Sequence, residues 1–392
     1  MKHIILAVIS ILACNSIVFA QFTIDSVLVK IEKNNTTLSA LQKRVEAEKL
    51  GNKTGIYLTN PEVEFDYLWG SPSDFGNRTD FSIKQSFDFP TAYGHKKQIA
   101  NIKNEQTDLE YQKQRKNLLL EARLICNDLI YINALVSEIV RRLTHAESIA
   151  NSYKVKFDAG ETNILEYNKA QLNLLNLSKD LELYEIERIA LLGELSRLNA
   201  GIPMEFTASE FQPTTVSPDF EQWYQQAEQS NPLLNWLKKE IEKTEKKVSL
   251  SKAMSLPKLQ AGYMSESIVG QDFKGLTLGL SIPLWENKNT VKYAKANTVA
   301  LEDMAVDNKV QLYNQLKILH TKAIALQRNA ADYRTQLQSF NNSELLEKAL
   351  EKGQINLIDY ILELSIYYES VNNLLEVERD MNNTVAELNQ YL

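Results

Sequence analysis

Histidine, cysteine and clustered carboxylates are the side chains through which proteins most often ligate metals, move protons or attack substrates. Here the first two do not converge. His95, His145 and His320 are far apart, with no His-x-x-x-His spacing and no His–Cys pairing. There is no glycine-rich phosphate loop and no nucleophile elbow. His145 falls on the charged side of a helical pattern and reads as solvated. Cys126 falls on an apolar helical stripe and reads as a small buried hydrophobe. No catalytic residue, resident metal or cofactor is expected, and the chain does not read as an enzyme. The carboxylates are different. Glu62, Glu64 and Asp66 alternate with Val63, Phe65 and Tyr67, and Lys84 and Asp88 fall on the polar side of a second alternating segment. A row of acids on one face of an extended segment suits cations electrostatically, as acidic rings in pores do. The same residues also suit a plain wetted wall.

The elements that place these acids are four extended segments, expected at about 61–70, 79–90, 257–267 and 274–284. In "DFSIKQSFDFP", Phe81, Ile83, Phe87 and Phe89 share a face opposite Ser82, Lys84, Ser86 and Asp88; in "GLTLGLSIP", Leu276, Leu278, Leu280 and Ile282 oppose Thr277, Gly279 and Ser281. Segments of about ten residues with this alternation and many aromatics are the pattern of membrane-spanning β-strands around a wet lumen. Two hairpins are too few for a β-sandwich, and four strands are too few for a barrel, which needs about eight. Strand edges cannot stay open in lipid. Closure therefore requires several chains. The turns "GSPSDFGN" and "ESIVGQDFKG" would be exposed loops.

Everything else reads as helix. His95–Ala159 and Lys288–Lys352 are each 65 residues without Gly or Pro, long enough for helices of roughly 100 Å. A helix of that length must be laced to others along its side. The lacing residues are Leu118, Ala122, Ile125, Leu129, Ile132, Val136, Ile139, Leu143, Ala146, Ala150, Tyr153 and Phe157, and then Leu316, Leu319, Ala323, Leu326, Ala330, Tyr333, Leu337 and Phe340. Their alternating spacing of three and four is a left-handed coiled-coil seam. Partner helices are expected at 161–200 and 354–392, after turns at Gly160 and Gly353.

The plan is written twice. Pro90 and Pro283, and Gly160 and Gly353, are both 193 residues apart; "NPEVEFDY" matches "LPKLQAGY" at an offset of 196. "EKNNTTLSALQKRVEAEK" matches "EQSNPLLNWLKKEIEKTE". The expected domains are therefore repeats at 21–203, with a helical hairpin at 95–200, and 204–392, with one at 288–392.

The formal charge of −7 and the absence of any Lys/Arg cluster argue against nucleic acid as a partner. At the start, Lys2 and His3 precede the apolar run Ile4–Ala13, and Val18 and Ala20 stand at small-residue cleavage positions. This reads as a signal peptide, 1–20. The run is too short to cross a bilayer as a helix. "ILAC" loosely resembles a lipobox, which leaves a lipidated Cys14 as the alternative.

With these features the chain resembles the TolC family of outer-membrane efflux ducts. The residues carrying the resemblance are "FSIKQSFDFP" with "LTLGLSIPLWE" and "YKVKFDAGETNILEYNKAQLNLL" with "LEKALEKGQINLIDYILELSIYY". The resemblance covers 22–392. It implies a mainly α fold with transmembrane β, in which three copies build a twelve-stranded barrel in the outer membrane of a Gram-negative bacterium. A periplasmic α-helical tunnel continues the barrel. The implied partners are two further copies, outer-membrane lipid, a periplasmic membrane-fusion adaptor and an inner-membrane pump. It also implies an acidic gate just past the turn glycines, for which Glu166 and Asp359 are the candidates. The second family aspartate aligns with Leu362, so the gate is built differently. Six carboxylates near one axis would favour a bound cation. The turns themselves would dock the adaptor, through Asp158, Gly160, Glu161 and Asn163 and through Lys352, Gly353, Gln354 and Asn356. The brief linker "GIPMEFTASEFQPTTVSPDF" looks most like the CzcC-type cation-efflux branch, which works with pumps of the RND class. Alternatives are a multidrug or type I secretion duct of the same fold and, from a different class, a soluble periplasmic coiled-coil scaffold.

Overall fold

The computed structural model describes residues 23–392; the leader, with its two readings at Ala20 and Cys14, lies outside the described residues. The elements are α1 (Ile24–Asn34), α2 (Thr36–Gly51), β1 (Glu62–Leu68), β2 (Arg78–Phe87), α3 (Pro90–Asp158), α4 (Ile164–Leu198), α5 (Phe220–Ser230), α6 (Pro232–Met254), β3 (Lys258–Ile268), β4 (Gln271–Ser281), α7 (Thr290–Ser339), α8 (Ser343–Glu351) and α9 (Leu357–Leu388). The chain divides into two compact units. One holds residues up to Thr36, Leu118–Pro218 and Leu319–Leu388; the other holds Thr37–Asn117, Asp219–Ile318 and Asn389–Leu392.

In the first unit the seam of α3 is buried at Ala122, Leu129, Ile132, Ile139, Ala146 and Ala150. The buried face is wider than the seam alone, because Cys126 and Ile130 are enclosed as well. Val27 and Ile31 of α1, Leu195 and Leu198 of α4, and Met204 and Phe206 of the following segment close over them. Burial pushes the Cys126 thiol up to about 12, so it stays protonated and unreactive at neutral pH. Asparagines pin the backbone around this core. Asn35 donates to the Leu198 carbonyl at 2.7 Å, and Asn133 donates to the Ala208 carbonyl at 2.9 Å. A second cluster joins Ala150 and Ala170 to Leu357, Tyr360 and Leu364, with Leu346 and Leu350 of α8 packed against it.

In the second unit the four strands form one antiparallel sheet in the order β1-β2-β3-β4. Its helices are tied by Trp236, whose Nε1 donates to Glu110 at 2.9 Å, and by Gln106, which donates to Glu240 at 2.7 Å. Edge-on aromatic contacts join Tyr313 to Phe220 and Tyr224. Asn231 stops α5 and caps α6: its Oδ1 accepts from the amides of Leu233 and Leu234 at 2.9 and 3.1 Å, with Pro232 at the first helical position.

Three of the differences from the sequence reading have a cause in single residues. Strand β2 ends at Phe87, not at 90: Pro90 has no amide for a ladder and instead opens α3. The stretch "ESIVGQDFKG" is not a long loop. It is a tight turn at Val269 and Gly270, both at positive φ, and β3 and β4 each run 11 residues up to it. The helix expected to run unbroken to Lys352 breaks after Ser339. The Asn341 side chain accepts from the Ser343 amide and hydroxyl at 3.2 and 2.7 Å, which restarts the chain as α8. Asparagine competes with helical backbone bonds in this way without any Gly or Pro.

Because Asn231 is almost fully buried and takes two amides, Asn231→Ala will cost about 1–2 kcal/mol, and Asn231→Asp much less. Faster hydrogen exchange at Leu233 and Leu234 will report the loss.

Candidate functional site

The sheet is two-faced. Paired rows place Val63 against Ile83, Ile83 against Tyr263, and Tyr263 against Leu276. Successive rows add Phe65, Phe81, Ala261 and Leu278 to the same side, since side chains alternate across a strand. Nothing among the described residues covers this apolar face: Phe65, Leu276 and Leu278 are 64%, 86% and 89% exposed. Trp69 and Trp285, both largely exposed, stand just past β1 and β4. The outer edges of β1 and β4 also have no partner strand among the described residues.

The other face carries the acids. Glu62 pairs across the ladder with Lys84, Glu64 with Ser82, and Asp66 with Asp80. The Lys84 amine sits 2.9 Å from Glu64. Asp66 and Asp80 face each other as like charges, which is unfavourable in a ladder; beside them Arg78 reaches Asp80 at 2.8 Å and Glu266 at 3.3 Å. Arg78, Asp80 and Glu266 were missed in the sequence, although their even spacing from Lys84 and Gly262 would have placed them. Asp88 is not on this wall. It lies past the end of β2, paired to Lys96 at 2.8 Å, with its amide bonded to the Tyr93 hydroxyl.

The two glycine turns have one hydrogen-bond pattern. Gly160 and Gly353 have φ of 73° and 67°, the left-handed conformation that ends a helix. The Glu161 amide donates to the Lys156 carbonyl at 2.8 Å, and the Gln354 amide to the Ala349 carbonyl at 2.8 Å. Asn163 then accepts from the Glu166 amide at 3.0 Å, and Asn356 from the Asp359 amide at 2.9 Å. Glu166 and Asp359 therefore occupy the third position of α4 and α9, where the helix dipole favours an anion. The Glu166 carboxylate takes Lys169 at 2.9 Å, and Asp359 takes the Asn356 side-chain amide at 2.7 Å. Asp158, Glu161, Lys352 and Gln354 are exposed around these turns. Leu362 is exposed as well.

His145 is not a free solvated residue. Its ring lies 3.1 Å from the Tyr360 hydroxyl and 3.3 Å from Glu347 of α8. Burial raises the pKa of Tyr360, which stays a neutral phenol. Among the described residues, no group of three or more His, Cys, Asp or Glu side chains is placed to hold a metal ion. No described helix is long and apolar enough to cross a membrane.

No family model matches the chain, and no curated protein sequence does. Solved structures match over nearly its whole length. The CusC structure, described in terms of folding and transmembrane channel formation, aligns with a TM-score of 0.77 at 11% identity, over 95% of this chain and 92% of that one. The CmeC outer-membrane channel of Campylobacter jejuni aligns at 0.73 and 13%, over 94% and 85%. The open state of the MtrE outer-membrane channel of Neisseria gonorrhoeae aligns at 0.74 and 11%, over 94% and 88%. The chain thus has the fold of these channel proteins, mainly helical with a small antiparallel sheet.

The faces of the sheet give a direct test. On the reading proposed below, in which the bare face meets lipid, Leu278→Arg will cost about 2–4 kcal/mol of insertion and will shift the protein out of reconstituted liposomes. Thr277→Arg, one residue along and on the polar face, will leave insertion near the wild-type level. Equal losses for the two would contradict the assignment of the faces.

Proposed function

We propose that this protein is the outer-membrane exit duct of a tripartite efflux system. The observation that carries the reading is the unclosed sheet: four antiparallel strands with a bare apolar face, a charged opposite face and two unpaired edges, in a fold shared with known outer-membrane channels. Three copies pairing β4 of one with β1 of the next would close twelve strands and satisfy every edge, as lipid requires. The strands then span the outer membrane, and the helices form a tunnel in the periplasm. The duplicated plan, repeats at 21–203 and 204–392, supplies two hairpins per copy to that tunnel. Glu62, Glu64 and Asp66, with Lys84, face its wet interior.

In this reading the turns at Gly160 and Gly353 dock a membrane-fusion adaptor, and an inner-membrane pump supplies the energy. Glu166 and Asp359 form the closed gate, held in place by the asparagine caps at Asn163 and Asn356. The cargo class we favour is heavy-metal cations, delivered by a pump of the RND class. The support is the short linker between the repeats and the excess of acids over bases on the charged sheet face. Multidrug and type I secretion ducts share the fold and are separated by experiment.

Two measurements test the reading. Asp359→Asn removes the charge and keeps the side chain's size; it will raise single-channel conductance in planar bilayers, as will Asp359→Ala. Unchanged conductance in both removes Asp359 from the gate. Deletion of the gene will sensitise cells to divalent metals or copper with metal retained inside. Sensitivity to detergents and antibiotics at normal metal content would instead assign a multidrug duct. Absence of the protein from the outer-membrane fraction would reject the duct in favour of a periplasmic scaffold.

A further inference from the structure

The short helix before Gly353 is a separate piece. α8 is 9 residues long and none of its residues is buried. A helix this short is not stable by itself in water. The break after Ser339 sets it off from α7, and the turn at Gly353 sets it off from α9. Leu346 and Leu350 pack against the cluster of Ala150, Ala170, Leu357, Tyr360 and Leu364. Glu344, Glu347 and Glu351 stand three and four residues apart and so share one face of α8.

His145 of α3 meets the middle of that acidic row. A Glu347 carboxylate oxygen lies 3.3 Å from Nε2. The Tyr360 hydroxyl lies 3.1 Å from Nδ1 and 3.3 Å from Nε2. Tyr360 is only 1% exposed and stays a neutral phenol. A neutral imidazole has one donor and one acceptor. The tautomer that serves both partners has Nδ1 accepting from Tyr360 and Nε2 donating to Glu347. On its own helix, Arg141 and Arg142 share the face of His145 one turn earlier. Arg141 is bonded to Glu138 at 2.6 Å, and Arg142 donates to Asn372 and the Tyr368 carbonyl of α9. Asp180 and Tyr184 of α4, with Tyr368 and Glu369 of α9, line the same cavity as His145. Carboxylates therefore stand around His145 on three other helices.

We propose that His145 and Glu347 form a pH-sensitive clamp that fastens α8 to α3 when the imidazole is protonated. Histidine changes charge between about pH 5 and 8, whereas a glutamate is ordinarily ionised throughout that range. Below it both imidazole nitrogens donate. The Glu347 contact becomes an ion pair, and the Tyr360 oxygen turns from donor to acceptor. Above it the contact falls back to a single neutral-donor hydrogen bond, and α8 is left on Leu346 and Leu350. The clamp rests on these contacts within one unit and not on the duct reading. In the duct, acid would stiffen the turn at Gly353, into which α8 runs.

The test is hydrogen exchange of the full chain in detergent at pH 5.8 and 7.8, corrected for the intrinsic change of exchange rate with pH. The α8 amides will exchange about two- to fivefold more slowly at pH 5.8, the range expected of a partly exposed ion pair. Amides of α5 serve as the reference. Glu347→Gln keeps an acceptor but removes the charge; it will abolish the pH response and leave α8 protection at pH 7.8 near the wild-type level. Glu347 is half exposed, so this variant folds even if His145→Gln, which will also abolish the response, does not. The Glu347 variant also separates His145 from His320, the other histidine of the unit. Equal protection of α8 at the two pH values, weaker protection in acid, or a pH response that survives Glu347→Gln would each overturn the proposal.

Discussion

Backbone amides and carbonyls must find partners, and where water is absent they must find them in protein. The sheet of this chain meets that demand internally for its three inner interfaces and leaves it open at the outer edges of β1 and β4. An exposed flat edge beside a bare apolar face is a hazard that soluble proteins blunt with bulges, prolines or covering helices. Within the strands β1 and β4 here there is no proline. The apolar residues on that face are not scattered, as isolated surface hydrophobes are, but continuous from Val63 across to Leu276. In the proposed duct, pairing between copies would remove the edges and lipid would cover the face. A helix packed on the sheet would cover the face and leave the edges unsolved.

The helices solve the same backbone demand within themselves, so their difficulty is different. A long helix has no fold-specific register along its neighbours unless side chains supply one. Alanine at Ala122, Ala146 and Ala150 allows close approach but little specificity. Specificity comes from part-buried polar contacts at particular heights. Asn127 donates to Asn383 at 2.9 Å, Asn34 to Asn199 at 2.9 Å, and Arg334 reaches Glu378 at 2.6 Å. A slip of one turn would break each of them, and the enclosed partner Glu378 would lose its bond at a cost larger than the bond's net contribution. Polar pins of this kind fix register where an apolar stripe alone does not.

The features that repeat with a period were legible in the sequence. Alternation of period two exposed the two faces of the strands, spacing of three and four exposed the seam of α3, and glycine marked the two turns. What escaped the sequence depends on single side chains meeting residues far away. Asn341 breaks a helix by bonding to Ser343, yet asparagine is tolerated in many helices. Arg142 and His145 sit on a helix surface where charge usually means solvent; both are held by α9, more than 200 residues further on. Asp88 alternates correctly with Lys84 in the sequence, but Pro90 ends the strand before the pattern can place it on the wall. The gate candidates were legible by position only. Their asparagine caps, which explain why an acid stands at the third helical position, emerged from the turn geometry.

Identity of 11–13% with TM-scores above 0.7 says which constraints this architecture obeys. Nearly every side chain can change as long as period, turn conformation and edge pairing are kept. A fold so weakly tied to residue identity cannot by itself encode cargo. If the chain is the duct proposed above, selectivity would reside in side chains rather than in the fold: in the acids of the charged sheet face and in the two carboxylates at the helix starts. In the proposed duct these two carboxylates would be under a compromise: a helix N-terminus favours the ionised form, while gathering several carboxylates on one axis would oppose it, and a cation would satisfy both. On that reading no second aspartate is needed at Leu362, because the helix termini themselves would hold the charges in place.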